Sequence, residues 1–348
     1  MVVTEVSDRN TWNRFLETHD GPVYNHWGWN EAVAGYGHDQ WRLGVRDEES
    51  GDLAAILPLA YIDSRLFGSQ LLSPAFAERG SIVVDTDADV QTAIDLLLDQ
   101  SAGMATDLGA DLVGLRGSII PEPKTYTTNR QYVTFQVDVG QGVDGVWDGI
   151  KESRQRQVDQ AGDTAEITYA RGTDVDDLAE YYRLYLATMR GHGSPPHSWR
   201  FFETLWEELY PDGHFHLHLV RYDGSLINAM IDLSMGSTVY QWGVVSDYEQ
   251  RDLNGGSLVL WRALDAAVDA GYDTYEFGRT REGTGVYMFK KSFGGEKVWY
   301  DDLYYGTQEP TTPDPTEGPY QHAQAVWRRL PLPVTRIIGP HIRKRIGI

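Results

Sequence analysis

FHLHLVRYDGSLINAMIDL, residues 215–233, carries the reading of the fold. Phe215, Leu217 and Leu219 fall at every second position, the period of a strand with one buried face. Asp223-Gly224 follows, a dipeptide suited to the positive φ angles of a tight hairpin turn. Beyond it, Leu226 to Leu233 is a second, apolar strand. The segment therefore reads as an antiparallel hairpin.

WRLGVRDEESGDLAAILPL, residues 41–59, repeats that layout with a looser turn at Glu49-Ser50-Gly51-Asp52. The most apolar stretch of the chain, Leu53 to Ile62, contains Pro58 and reads as a buried strand. Each hairpin is followed by a helix and a strand, an internal similarity that points to duplication. Val90, Ile94, Leu97, Ser101, Met104 and Leu108 recur at helical spacing and stop at Gly109. Leu258, Trp261, Leu264 and Val268 do likewise and stop at Gly271. Both glycines stand where a helix end takes a left-handed residue. LVGLRGS (112–118) and TYEFGRT (274–280) read as the strands that follow. Chance recurrence is the competing explanation, because such units are common.

Helices open each half. Trp12, Phe15 and Leu16 precede Trp27, Trp29 and Val33 in the first. In the second, Leu178, Tyr182, Tyr185 and Met189 precede Phe202, Leu205, Trp206 and Leu209. This order predicts an α/β chain in which helices cover a mixed sheet, built as two tandem domains. The boundary is expected near residue 140, giving domains at 1–140 and 141–308, with Trp147 to Ala161 as a connecting helix. A Pro/Thr-rich linker, QEPTTPDPTEGP from Gln308, leads into a tail within 309–348.

Composition limits the function. The 348 residues suffice for two domains. Cysteine is absent, which excludes disulfides, thiol catalysis and cysteine-ligated zinc. No apolar run approaches the roughly 20 residues of a membrane helix. The N-terminus, MVVTEVSDRN, lacks the layout of a signal peptide, so a cytoplasmic location is expected. The net charge is −21, and lysine is confined to Lys124, Lys151, Lys290, Lys291, Lys297 and Lys344. An Asp-rich, Lys-poor surface resembles that of proteins from salt-loving microbes. The other reading is an acidic surface for a basic partner. Such charge disfavours nonspecific nucleic-acid binding, so DNA is not an expected partner and tRNA stays open. The tail differs. From Pro319 to Ile348 it has no Asp or Glu but carries Arg328, Arg329, Arg336, Arg343, Lys344 and Arg345. With Leu330, Leu332, Val334, Ile337, Ile338, Ile342 and Ile346 among the cations, it suits peripheral contact with an anionic membrane face. Packing on the acidic body of the protein is the alternative.

Three segments give the chain a resemblance: KESRQRQVDQA (151–161), GHGSPPHSWRFFETL (191–205) and YEFGRTREGTGVYMFKKSFGGEKVWYDDLYY (275–305). The chain resembles the FemAB-like acyltransferases of the GNAT superfamily. The last segment looks like that family's GR-x(n)-G-x-FK-x-x-FG signature. The similarity covers most of the second half and, more faintly, the first. It implies tandem GNAT-like domains, the first degenerate, with the working cleft mainly in the second. The implied reaction is transfer of an acyl or aminoacyl group to an amine, making an amide. Acyl-CoA or aminoacyl-tRNA would be the donor, with no permanently bound cofactor. Better-known members use aminoacyl-tRNA and cell-wall peptide precursors. A subgroup is associated with exopolysaccharide export, and the basic tail looks more like that subgroup. The acceptor would then be an amine on a lipid-linked or polysaccharide precursor. Two rivals stand: a CoA-dependent N-acetyltransferase of small molecules, and a non-catalytic scaffold that binds a surface-polymer precursor.

The chemistry needs a proton acceptor for the amine, a cation or amide donor for the developing oxyanion, and a cradle for donor phosphates. Arg251-Asp252-Leu253-Asn254-Gly255-Gly256 precedes a helix starting near Ser257. In GNAT enzymes an Arg/Gln-x-x-Gly-x-Gly/Ala loop holds the coenzyme A pyrophosphate here. Asn254 stands where the first glycine belongs, and asparagine tolerates a left-handed backbone. An ordinary Asn-Gly turn capped by Ser257 is the alternative. Lys290 falls at the family's functional lysine. In a strand, Lys290 and Lys291 face opposite ways, so Lys290 is expected to serve turnover and contribute little to folding. Two surface lysines are the alternative. Glu276 and Asp232 are candidate bases, since a dry carboxylate is a better proton acceptor. For Glu276 the alternative is an ion pair with Arg279 or Arg281. The quoted segments add Arg154, Trp199, Arg279, Tyr287 and Lys291 as substrate-binding candidates. His214, His216 and His218 have zinc-ligand spacing, with His192 and His197 as further ligands. A polar strand face is the simpler reading, and no metal is assigned.

Overall fold

Each sequence copy builds a sheet of the same strand order. The computed structural model describes residues 1–64, 68–118, 125–306 and 318–347. The first half runs β1 (Val2–Glu5), α1 (Arg9–Thr18), α2 (Trp27–Ala34), β2 (Asp39–Arg46), β3 (Leu53–Ile62), β4 (Gln70–Ser73), β5 (Val83–Val84), α3 (Val90–Leu108) and β6 (Leu112–Ser118). β7 (Thr127–Asp138), α4 (Gly142–Gly149) and α5 (Glu152–Gly162) follow. The second half runs β8 (Ile167–Gly172), α6 (Val175–His192), α7 (Trp199–Leu209), β9 (Phe215–Tyr222), β10 (Ser225–Met235), β11 (Thr238–Ser246), α8 (Gly255–Asp269), β12 (Thr274–Glu276), α9 (Gly285–Lys291) and β13 (Glu296–Gly306). α10 (Gly318–Arg329) and α11 (Leu332–Arg343) form the tail. No helix among the described residues is long and apolar enough to cross a membrane.

The chain divides into two units. One comprises Met1–Gln131 with the described residues of Tyr300–Asp314 and His341–Ile348; the other comprises Tyr132–Trp299 with those of Pro315–Pro340. A single cut near residue 140 does not separate them. In the first unit the strands lie in the order β1-β2-β3-β4-β6-β13, with β4–β6 the only parallel pair in the run. In the second the order is β8-β9-β10-β11-β12-β7, with β11–β12 the parallel pair. Order and sense agree strand for strand. The hairpins at 41–59 and 215–233 are β2–β3 and β9–β10.

The cores form where the helical stripes meet the sheets. Ile94, Leu97 and Leu98 of α3 are buried with Leu57, Leu59, Val113 and Leu115. Val259, Ala263, Leu264 and Ala267 of α8 are buried with Met230, Val239, Tyr275 and Phe277, and Val158 and Ala161 of α5 join them. Gly109 ends α3 in the left-handed conformation at φ +66°, and Gly271 follows α8 at φ +78°.

Two local expectations are corrected. The connecting helix at Trp147–Ala161 is two helices, α4 and α5. Ile150 and Lys151 between them are extended (ψ 136° and 135°), and the freed Lys151 N–H donates to the Ser292 carbonyl at 3.0 Å. The segment Phe289-Lys290-Lys291 is helix, not strand. The Thr284 hydroxyl accepts from Tyr287 N–H at 3.1 Å and starts α9. Adjacent residues on a helix diverge by about 100°, not 180°, so the opposed-lysine geometry does not apply. The Pro/Thr-rich linker lies almost wholly outside the described residues. The tail beyond it is helical, and α10 rests on α6 within the second unit: Arg328 Nε donates to the Gly191 carbonyl at 3.1 Å.

Candidate functional site

β11 and β12 pair over only three residues and part after Tyr240 and Glu276, although β11 continues to Ser246. Parallel strands that separate at their carboxyl ends open a crevice, the usual place for a ligand in such sheets. β11 also carries a bulge: Ile231 faces Gly243 while Asp232 faces Gln241, leaving Trp242 as the extra residue. Bulges of this kind re-aim strands beside functional sites.

The chain leaves β11 through a 3-10 turn, Tyr248–Leu253, and enters α8. Asn254 is the N-cap in the left-handed conformation, at φ 57° and ψ 20°. Its side chain caps no helix N–H; the amide instead donates to Gln160 Oε1 on α5 at 3.1 Å. The first turn of a 15-residue helix is thus left without a side-chain acceptor at its positive end. The matching helix of the first unit differs. Asp89 caps α3 with its own carboxylate, accepting from Thr92 N–H at 3.2 Å, and those Thr92 hydrogen bonds hold the carboxyl below its ordinary range.

Arg154 of α5 reaches that open helix end. Its Nη1 donates to Ser257 Oγ at 2.9 Å and to Gln157 Oε1, and its Nε donates to Ser292 Oγ at 3.0 Å. The guanidinium lies over the Phe289 ring at 4.4 Å and the Phe293 ring at 5.5 Å. None of these partners is a carboxylate, and burial lowers its pKa from the ordinary value. A half-buried cation and the positive end of a helix therefore face each other with no anion between them. That arrangement attracts an anion such as phosphate.

The other named residues separate into groups. Lys290 is buried; its Nζ donates to the carbonyls of Gly278 at 3.1 Å and Arg279 at 3.4 Å. Its ammonium fastens α9 to the chain leaving β12, so it supports the backbone there. Lys291 is exposed, its Nζ 5.8 Å from the Tyr287 ring. Tyr287 itself is buried with its ring 5.3 Å from that of Phe135. Arg279 stacks over Tyr132 at 4.1 Å, and Arg281 donates to the Tyr132 hydroxyl at 3.2 Å. Arg251 is largely exposed beside Asp252. Trp199 donates to Glu203 Oε1 at 3.1 Å and packs on Tyr182, within the α6–α7 layer. Gly255 and Gly256 open α8. A Cβ on Gly255 would sit 2.3 Å from Asn228 Oδ1, whereas one on Gly256 would meet only Asn228 Nδ2 at 3.5 Å.

The two candidate bases lie apart. Glu276 is buried at the point where β11 and β12 separate, and Gln136 Nε2 donates to its Oε2 at 2.8 Å. Tyr275, the adjacent residue, points to the opposite face and donates to Asp232 Oδ2 at 2.9 Å. Burial, then the Asp232 charge, pushes the Tyr275 phenol well above its ordinary value. Asp232 lines a small cavity of about 30 Å³ beside Ala267 and Tyr272, at the far end of α8. Ala267 is about 16 Å along the helix axis from Gly256, which removes Asp232 from the N-terminal end of α8.

The alternating histidines do not converge on a metal. His216 Nδ1 meets Arg171 at 2.9 Å and its Nε2 meets Ser234 Oγ at 2.9 Å. His218 Nδ1 meets the Tyr169 hydroxyl at 2.8 Å, and its Nε2 lies 3.4 Å from Asp232. Among the described residues no group of three acidic or histidine side chains could hold an ion. Sequence reasoning missed Gln157, Ser292, Phe289 and Phe293 as neighbours of Arg154, although all four lie in the quoted segments.

Residues 151–291, which contain Arg154 and its neighbours Gln157, Ser257 and Phe289, match the family model of an acetyltransferase (GNAT) domain. No curated protein matches the sequence. Among solved structures the chain is similar to FemX, with a TM-score of 0.68 at 16% identity over 89% of this chain and 98% of that one. It is similar to a tandem GNAT protein from the clavulanic acid biosynthesis pathway, at 0.54 and 10% identity over 88% and 99%. L-PGS from Bacillus licheniformis scores 0.52 at 12% identity over 97% and 99%. These likenesses give the fold: a mixed α/β architecture shared with tandem GNAT proteins.

Proposed function

We propose that the chain transfers an acyl or aminoacyl group to an amine, using a donor whose phosphates bind between Arg154 and the first turn of α8. The observation that carries this reading is the half-buried Arg154 guanidinium, without a carboxylate partner, at an uncapped helix N-terminus. Gly255 and Gly256 would offer backbone N–H groups to a phosphate, and Ser257, Asn254 and Arg251 would flank it. The donor carbonyl would then lie in the opening between β11 and β12. The amine attacks that carbonyl, a tetrahedral oxyanion forms, and a thiol or ribose hydroxyl leaves as the amide is made. Glu276, where β11 and β12 part, would take the amine's proton. Lys290 acts at one remove by fixing the Gly278–Arg279 backbone. Arg279 and Lys291 would line the acceptor path, with Tyr287 and Trp199 packed behind in the core and the helical layer.

Acyl-CoA is the favoured donor. A net charge of −21 opposes a broad tRNA surface. An amine on a lipid-linked or polysaccharide precursor is the favoured acceptor, in keeping with the FemAB-like motif and the fold shared with a lysylphosphatidylglycerol synthetase domain. Calorimetric titration of wild type and Arg154→Gln with coenzyme A and with aminoacyl-tRNA tests the donor site. The expected result is coenzyme A binding weakened at least about tenfold by the substitution, since it removes a charge-assisted contact. Equal affinity in the two proteins would remove Arg154 from the site. Binding of neither donor would favour a non-catalytic scaffold.

A further inference from the structure

One side of the C-terminal helices is unlike the rest of the surface. α10 turns Trp327 inward, where it is buried, and α11 turns Thr335 and Gly339 inward. A Cβ on Gly339 would lie 2.4 Å from the Pro196 ring, so this side fits closely against the protein. Pointing away are Val326 (61% exposed), Val334, Ile337 (67% exposed) and Ile338. Among the described residues the exposed isoleucines are Ile337, Ile338 and Ile342, all on α11, and no leucine or phenylalanine is as exposed. Arg329 and Arg336 are exposed among them. No carboxylate occurs from Pro319 to Ile348, although the whole chain carries −21.

We propose that this face is a docking surface for an anionic lipid bilayer. The aliphatic side chains enter the acyl boundary, and Arg329 and Arg336 pair with lipid phosphates. The two kinds of group divide the work by salt. At about 1 M ionic strength the screening length falls to about 3 Å, so the arginines weaken and the isoleucines sustain binding. A second copy of the chain fits less well: a two-fold contact through this patch would set the arginines against their own counterparts. The proposal stands independently of acyl transfer.

Vesicle flotation of the full chain tests it. Phosphatidylglycerol-containing vesicles are compared with pure phosphatidylcholine at about 0.15 M and about 1 M salt. Wild type is compared with Ile337→Asn/Ile338→Asn and with Arg329→Glu/Arg336→Glu. All four side chains are exposed, so the variants should fold normally. The expected result is flotation of wild type with the anionic vesicles. The isoleucine pair should lose at least about tenfold in binding at both salt concentrations. The arginine pair should lose a similar factor at low salt only. Absence of wild-type flotation, or flotation unchanged by the isoleucine substitutions, overturns the proposal. So does a wild-type dimer that the isoleucine variant dissociates without any vesicle binding, which would make a second copy the occupant.

Discussion

Truncating Lys290 distinguishes a group that acts on substrate from one that holds the backbone. Its buried ammonium donates to two carbonyls, at 3.1 and 3.4 Å. A hydrogen bond from a charged donor contributes roughly 1.5–3 kcal/mol, and its loss leaves buried acceptors unpaired. Taking the shorter bond in full, the longer one in part, and adding the buried stem gives about 3 kcal/mol for Lys290→Ala. For a unit of this size that lowers Tm by about 6–12 °C. Lys290→Met retains the stem and should cost about 2 kcal/mol. Lys291→Ala, on the exposed side of α9, should stay within about 0.5 kcal/mol of wild type. Urea unfolding followed by tryptophan fluorescence measures all three. Single-turnover transfer well below each midpoint measures what remains of the chemistry. The backbone role fails if Lys290→Ala unfolds with wild type while turnover falls about a hundredfold, the loss typical of an oxyanion donor.

Gly256→Val should fold, because its Cβ meets Asn228 at an ordinary 3.5 Å, yet it should weaken coenzyme A binding in calorimetry. Gly255→Ala should lower Tm, because its Cβ would collide with Asn228 Oδ1 at 2.3 Å. His216 gives a pH dependence. Burial, then the neighbouring Arg171 cation, pushes its pKa down from 6.5 to about 3. The unfolded chain therefore binds a proton that the folded chain refuses between those values. This contribution to stability is complete above about pH 6.5 and is lost as the pH falls toward 3, by up to about 1.4 kcal/mol per pH unit. His216→Gln should flatten the slope of unfolding free energy against pH by one proton, and an unchanged slope would place the titration elsewhere.

Where sequence and structure agree, a local signal has a local cause. α3 begins and ends where its pattern predicts because Asp89 caps one end and Gly109 turns left-handed at the other. The hairpins follow from alternation and turn chemistry. α9 was not legible because seven residues supply too few turns to show a period, and the Thr284 cap was its only clear signal. Arg154 and Ser257 were both legible as single residues. Their meeting was not, since it depends on packing two helices 103 positions apart in sequence. Tyr287 and Trp199 illustrate the converse. Both sit in the motif segments, but one is core and the other lies in a helical layer, and an aromatic residue reads the same in either place.

The closing strand of each sheet comes from the other half of the sequence: β13 pairs with β6, and β7 pairs with β12. Cutting the gene at its midpoint would therefore not yield two working modules. A piece that ends just after β7 lacks β13 and leaves β6 with a bare edge, and the complementary piece that starts there lacks β7 and leaves β12 bare in the same way. Bare edges recruit other chains, so each fragment alone should aggregate. Mixed together, the two fragments hold the strands the other lacks and should rescue one another. The two halves could thus no longer be parted by simple recombination, which ties the half whose helix Asp89 caps to the half whose helix has no side-chain cap.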